Sequence, residues 1–163
     1  MSAHRLVIVA LALPAFGLRG QLPDPAMIGT WSGDAQIVVN WTDQPSIHVR
    51  LDILADGSVS GQVGDAQLKN GRMARNRGAF GRLLHIKTDY IVSGELHGRV
   101  IASEHIQRDG VKLPLNWDGN VFSGGLHTSG SAFGGADRMA LSAFNLRLTR
   151  DPPALVPGSF ITR

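Results

Sequence analysis

The sequence contains no cysteine in its 163 residues. Disulfides, cysteine-ligated zinc, iron–sulfur clusters and thiol nucleophiles are therefore excluded. Aromatic residues are scarce at 6%, with a single tyrosine, three tryptophans and six phenylalanines. Only two glutamates occur, Glu95 and Glu104, and several aspartates sit in turn positions, so paired-carboxylate hydrolysis has little to draw on. Charged residues make up 18% of the chain and hydrophobic residues 43%, which is too apolar and too weakly charged for a disordered protein. Glycine is the abundant exception at 20 residues, without the every-third spacing of collagen. What remains is one domain built around one ordinary apolar core.

The one long apolar run is Leu6 to Phe16. As a helix it would reach about 16 Å, roughly half a bilayer core, too short for a membrane anchor. It follows a short n-region carrying Arg5 and precedes Ala15-Phe16-Gly17, small residues at the two positions that a signal peptidase reads. Residues 1–17 are therefore expected to be a signal peptide, with a buried first helix as the alternative. No cysteine follows the run, so an amino-terminal lipid anchor is excluded. The expected location is extracytoplasmic, periplasmic or secreted. A linker at 18–27, a domain at 28–150 and a proline-rich extended tail at 151–163 complete the organisation. Removing residues 1–17 takes away Arg5 alone and leaves 15 basic against 13 acidic side chains. So small an excess, on an exported chain, does not argue for a nucleic-acid partner.

From Ile28 onward the dominant period is two, the mark of half-buried strands. Ile37, Val39 and Trp41 alternate with polar neighbours, as do Ile47, Val49, Leu51 and Ile53. The same holds for Val59 and Val63, with Gly61 facing inward between them. It also holds for Leu84 to Val92, for Leu96 and Val100, and for Val111, Leu113, Leu115 and Trp117. Asp56-Gly57, Asn70-Gly71, Asp109-Gly110 and Asp118-Gly119 supply the positive φ of tight turns between these runs. The pattern predicts an all-β antiparallel meander of about eight strands closed into a small barrel, which removes exposed edges. A two-sheet sandwich is the alternative. In the last run Met139 and Leu141 lie on one parity and Phe144, Leu146 and Leu148 on the other, so a bulge near Ser142-Ala143 is expected. Gly33–Ile37 resembles Gly64–Leu68, and Asp56–Gly61 resembles Asp118–Gly124. Reuse of turn chemistry explains both better than duplication does.

Gly29-Thr30-Trp31 opens the first strand, and Arg147 and Arg150 fall in the last. This arrangement resembles the calycin superfamily of meander barrels, which includes lipocalins and avidins. In that superfamily a Gly-x-Trp on the first strand sets its indole across one barrel end, under an arginine from the last strand. The resemblance implies that Trp31 closes the barrel, with Arg147 or Arg150 above it, a favourable cation–aromatic contact. It implies a secreted habit and a possible ligand cavity. Biotin binding does not carry over, because the polar and aromatic contacts of avidins are missing.

Several clusters invite chemistry. His85, Asp89, Glu95 and His97 fall on the polar parity of two adjacent expected strands, but Lys87 and Arg99 share that face and would repel a cation; no metal is expected. Ser129-Gly130-Ser131 lacks the strand–turn–helix setting of a nucleophile elbow, so no catalytic residue is assigned, and no cofactor. Arg72, Arg75, Arg77 and Arg82 lie between expected strands, where guanidinium groups could chelate an oxyanion. The alternative is a solvated loop with arginine–aspartate pairs. Ser123 to Gly135, with five glycines, reads equally as a lid or a plain hairpin loop. Asn40-Trp41-Thr42 is a glycosylation sequon inside an expected strand.

The expected function is that of an exported, non-catalytic binding barrel for an apolar or amphipathic small ligand, with Trp41, Tyr90 and Trp117 as candidate contacts. A filled barrel without a cavity is equally compatible with the inward residues. The alternatives are a surface module gripping an anionic lipid, glycan or protein through Arg72–Arg82, and a small extracytoplasmic enzyme.

Overall fold

The computed structural model describes residues 22–38, 42–76, 88–104, 107–131 and 141–152. A 3-10 turn at Pro25–Met27 leads into eight strands: β1 (Gly29–Ile37), β2 (Ser46–Ile53), β3 (Ser58–Val63), β4 (Ala66–Arg75), β5 (Tyr90–His97), β6 (Gln107–Trp117), β7 (Val121–Ser131) and β8 (Leu141–Arg150). Each pairs antiparallel with the next, and β8 returns to β1 through Trp31↔Arg150 and Ser32↔Thr149. The barrel is closed, which rules out the sandwich.

Alternation decides which face is inside. In β2, Ile47, Val49, Leu51 and Ile53 are buried while His48 and Arg50 are exposed. All eight strands contribute to the core in this way, with Val92, Leu113, Leu115, Leu126 and Leu148 at 0% exposure. An apolar interior under a charged exterior is the reverse of a transmembrane barrel, whose apolar band faces outward. Among the described residues, no helix is long and apolar enough to cross a membrane.

Strand boundaries depart from expectation where a turn-type dipeptide lies in a bulge instead of a turn. Asn70-Gly71 lies inside β4, where Asn70 has φ 52° and the register slips by one against both β3 and β5. Asp109-Gly110 likewise lies inside β6, with a slip against β7 between Arg108 and Gly110. Asn-Gly and Asp-Gly suit turns and bulges alike, so the dipeptide alone does not distinguish them. Asp56-Gly57 and Asp118-Gly119 do make turns. The Ser58 hydroxyl, hydrogen-bonded to Asp56, holds that carboxyl below its usual value; the Asn120 N–H does the same for Asp118. In β8 the bulge falls at Phe144–Asn145, not at Ser142-Ala143. Asn145 has φ 55°, and the displacement leaves Phe144 46% exposed while Leu141, Ala143, Leu146 and Leu148 all face inward.

Three further corrections concern extent. Arg72 and Arg75 belong to β4, so they are strand residues and not part of a loop. Ser123 to Ser131 of the glycine-rich stretch forms β7, where a Cβ at Gly124 would lie 2.0 Å from the Pro114 carbonyl oxygen. Glycine there permits close strand coiling, and residues 132–135 of the stretch lie outside the described residues. Gly61, at φ 146° and 2.0 Å from the Arg50 oxygen by the same measure, plays this part in β3. Tyr90 to His97 is one strand, and Val100 lies in the connection that follows, where its carbonyl accepts the Asp65 N–H at 3.2 Å.

The two halves of the barrel echo each other. β4 and β8 are both ten residues long and carry asparagine fifth, arginine seventh and arginine tenth: Asn70, Arg72 and Arg75 against Asn145, Arg147 and Arg150. β1 and β5 share Ser-Gly-acid, at Ser32-Gly33-Asp34 and Ser93-Gly94-Glu95, and the first eight residues of each follow the same burial order. Among the sequence recurrences, Asp56–Gly61 and Asp118–Gly124 occupy matching hairpins. Gly33–Ile37 and Gly64–Leu68 do not, since the first lies in β1 and the second spans the β3–β4 turn.

Candidate functional site

Antiparallel order brings the starts of β1, β5 and β7 and the ends of β4, β6 and β8 to one mouth of the barrel. The chain enters there. Asp24 caps the 3-10 turn by accepting the Ala26 N–H at 2.9 Å, and Pro25 occupies a first-turn position where its missing N–H costs nothing. The turn drives Met27 into the core at 1% exposure. Residues 22–27 thus form a plug at this mouth.

Aromatics line the plug. Trp31, 1% exposed, donates its indole N–H to the Met27 carbonyl at 2.8 Å. Its ring meets Phe122 edge-on at 4.9 Å and Trp117 at 5.3 Å, while Trp117 and Phe122 lie 4.5 Å apart. The Arg150 guanidinium carbon stands 4.9 Å from the Trp31 ring centroid, and the same group donates to the Ala26 carbonyl. Arg147 is elsewhere: it is exposed, faces Ser123 across the β7–β8 pair, and adds its charge beside Asp118.

Beside the plug an open cleft of about 400 Å³ is lined by Leu22, Pro23, Asp24, Pro25, Arg75 and Tyr90. Arg75 and Tyr90 are direct partners in the β4–β5 register. Two residues marked on separate grounds, one for anions and one for an apolar ligand, therefore share a single cavity wall. Tyr90 and Trp117 are both partly buried against the core. Arg72 does not join them. It lies three residues before Arg75, on the opposite parity of β4, between Ser58 and Ser93 and near enough to help hold the Asp56 carboxyl down. Trp41, Arg77 and Arg82 lie outside the described residues, as does His85.

Around the histidines the described contacts are pairwise. His97 is 3.8 Å from Glu95, which also accepts from Asn70 at 3.0 Å, and His48 is 3.0 Å from Asp34. Asp89 is separate, accepting the Trp117 N–H at 3.0 Å. Among the described residues no group of three or more metal-ligating side chains comes together.

The far mouth holds a feature the sequence reading missed. Arg108, at 0% exposure, donates to Glu104 through Nε at 3.2 Å and through Nη2 at 3.0 Å, and to the Thr128 hydroxyl at 3.2 Å. The Asp109 bulge turns Arg108 inward, although alternation counted back from Val111 assigns it to solvent. The available signal was the i, i+4 spacing of Glu104, one of two glutamates, from an arginine.

No family model, curated protein or solved structure matches the chain.

Proposed function

We propose that this chain is an exported, non-catalytic, calycin-like barrel that binds a small amphipathic ligand in the cleft at its plugged mouth. The cleft itself carries the reading. It joins an apolar wall (Leu22, Pro23, Pro25), an aromatic ring with a hydroxyl (Tyr90) and a cation (Arg75), the mixed lining of a ligand site. Leu22 remains 67% exposed there, an apolar surface left for a ligand to cover. The calycin likeness is supported by the meander order and by the Arg150–Trp31 contact at the end of the barrel. Among the described residues the inward side chains, Val49 and Leu148 among them, pack into one buried cluster, which favours a surface cleft over a central cavity. A shared anion grip by Arg72 and Arg75 is disfavoured by their opposite parity on β4.

Titration with N-phenyl-1-naphthylamine, an uncharged fluorescent apolar probe, tests the reading. Saturable binding at one site per chain is expected, weakened about tenfold by Tyr90→Ala, in line with the loss of an aromatic contact of about 1–2 kcal/mol. Absence of saturable binding, or binding indifferent to Tyr90→Ala, would contradict it.

A further inference from the structure

The correspondence between β4 and β8 makes Arg75 and Arg150 counterparts: each is the tenth residue of its strand and each ends at the plugged mouth. Their surroundings differ. Arg150 is satisfied from within, by the Trp31 face at 4.9 Å and by the Ala26 carbonyl. Arg75 sits instead in the wall of the open cleft, opposite Tyr90, and among the described residues its guanidinium has no hydrogen bond or ion pair. Asp24 shares the cleft, but its Oδ1 is committed to the Ala26 N–H, and no ion pair joins it to Arg75. The plug therefore uses up one of two equivalent arginines and leaves the other facing a cavity.

We infer that Arg75 is the specificity determinant of the cleft and selects ligands bearing an oxyanion: a carboxylate, sulfonate or phosphate head on an apolar body. The inference rests on the reading of the cleft as the ligand seat. A planar guanidinium offers paired N–H donors that match two oxygens of such a group, a fit that an uncharged head cannot reproduce. The apolar body would lie along Leu22, Pro23 and the Tyr90 ring. Asp24 at the same wall disfavours a second negative charge, so a singly charged head fits better than a dianion.

The experiment compares 8-anilinonaphthalene-1-sulfonate with uncharged N-phenyl-1-naphthylamine on the purified full-length chain, by fluorescence titration at low and at physiological salt. The sulfonate is expected to bind about tenfold more tightly than the uncharged probe. Arg75→Gln should erase that preference, the sulfonate losing about tenfold relative to the uncharged probe. Arg72→Gln and Arg147→Gln remove the same charge elsewhere on the barrel and should alter neither probe more than about twofold. Equal binding of both probes, with Tyr90→Ala still weakening them, would overturn the oxyanion inference and leave the cleft standing. Failure of both probes would overturn the cleft and the inference together. If Arg72→Gln or Arg147→Gln weakened the sulfonate as much as Arg75→Gln does, the preference would belong to net charge and the inference would fail. Far-ultraviolet circular dichroism with thermal melts confirms that each variant is folded before its titration is read.

Discussion

Asn70 and Asn145 show how single residues set the shape of this barrel. Each holds φ above 50° within a strand, in a region that costs most L-residues about 1–2 kcal/mol and that asparagine tolerates through its short polar side chain. Each adds one residue to its strand and so returns the following side chains to the inner face. Asn70→Gly should leave stability within about 0.5 kcal/mol of wild type, whereas Asn70→Val should cost about 1–2 kcal/mol in chemical denaturation. Equal effects of the two substitutions would contradict a conformational role. These two residues also mark the limit of what the sequence discloses. The inward positions of β4 were not legible, because its alternation breaks at Asn70, where Asn-Gly serves a turn and a bulge through the same backbone angle. That ambiguity sent Arg72 and Arg75 to a loop, although both are strand residues facing different ways.

At the scale of elements, the connection from β5 to β6 is held shut by charge. Glu104 lies at its end and reaches Arg108 within β6, and Thr128 on β7 completes the contact, so three parts of the chain are tied inside one mouth of the barrel. Val100 and Ile101, both nearly fully buried, fill the space above the core beside it. A buried pair of this kind is costly to break and not always costly to replace. Arg108→Ala should lose about 3–5 kcal/mol, because Glu104 is left as a buried, unpaired carboxylate. The double variant Glu104→Leu with Arg108→Met should recover most of that loss. A double variant as unstable as the single one would show that the pair does more than neutralise itself. Alternation failed here for the same reason as at Asn70: Asp109 sits in a bulge, and parity counted through it assigns Arg108 to solvent. By contrast, Asp56-Gly57 and Asp118-Gly119 were read correctly as hairpin turns, since the flanking strands alternate without interruption up to each.

The whole molecule is a closed meander with an apolar interior, a polar exterior and two differently sealed ends. One end is fastened by the Glu104–Arg108 pair. The other is filled by Met27 and the Trp31, Trp117 and Phe122 rings, with the cleft at its edge. Closure was one of two arrangements legible in the sequence, since short alternating runs also suit a two-sheet sandwich; the return of β8 to β1 decides between them. Gly29-Thr30-Trp31 and the late arginines were visible too, but which arginine meets the indole depends on the register of β8 against β1. The cleft was not legible, since it requires residues 22–25 to fold back beside Tyr90 and no pattern in one sequence states that contact. The most direct test of the account is backbone amide chemical-shift mapping of the isotope-labelled chain during titration with 8-anilinonaphthalene-1-sulfonate. The account predicts saturable shifts concentrated at Leu22, Asp24, Arg75 and Tyr90, with inward core amides such as Val49 and Leu113 unmoved. Shifts centred on those core amides, or spread evenly over the outer faces of the strands, would contradict it.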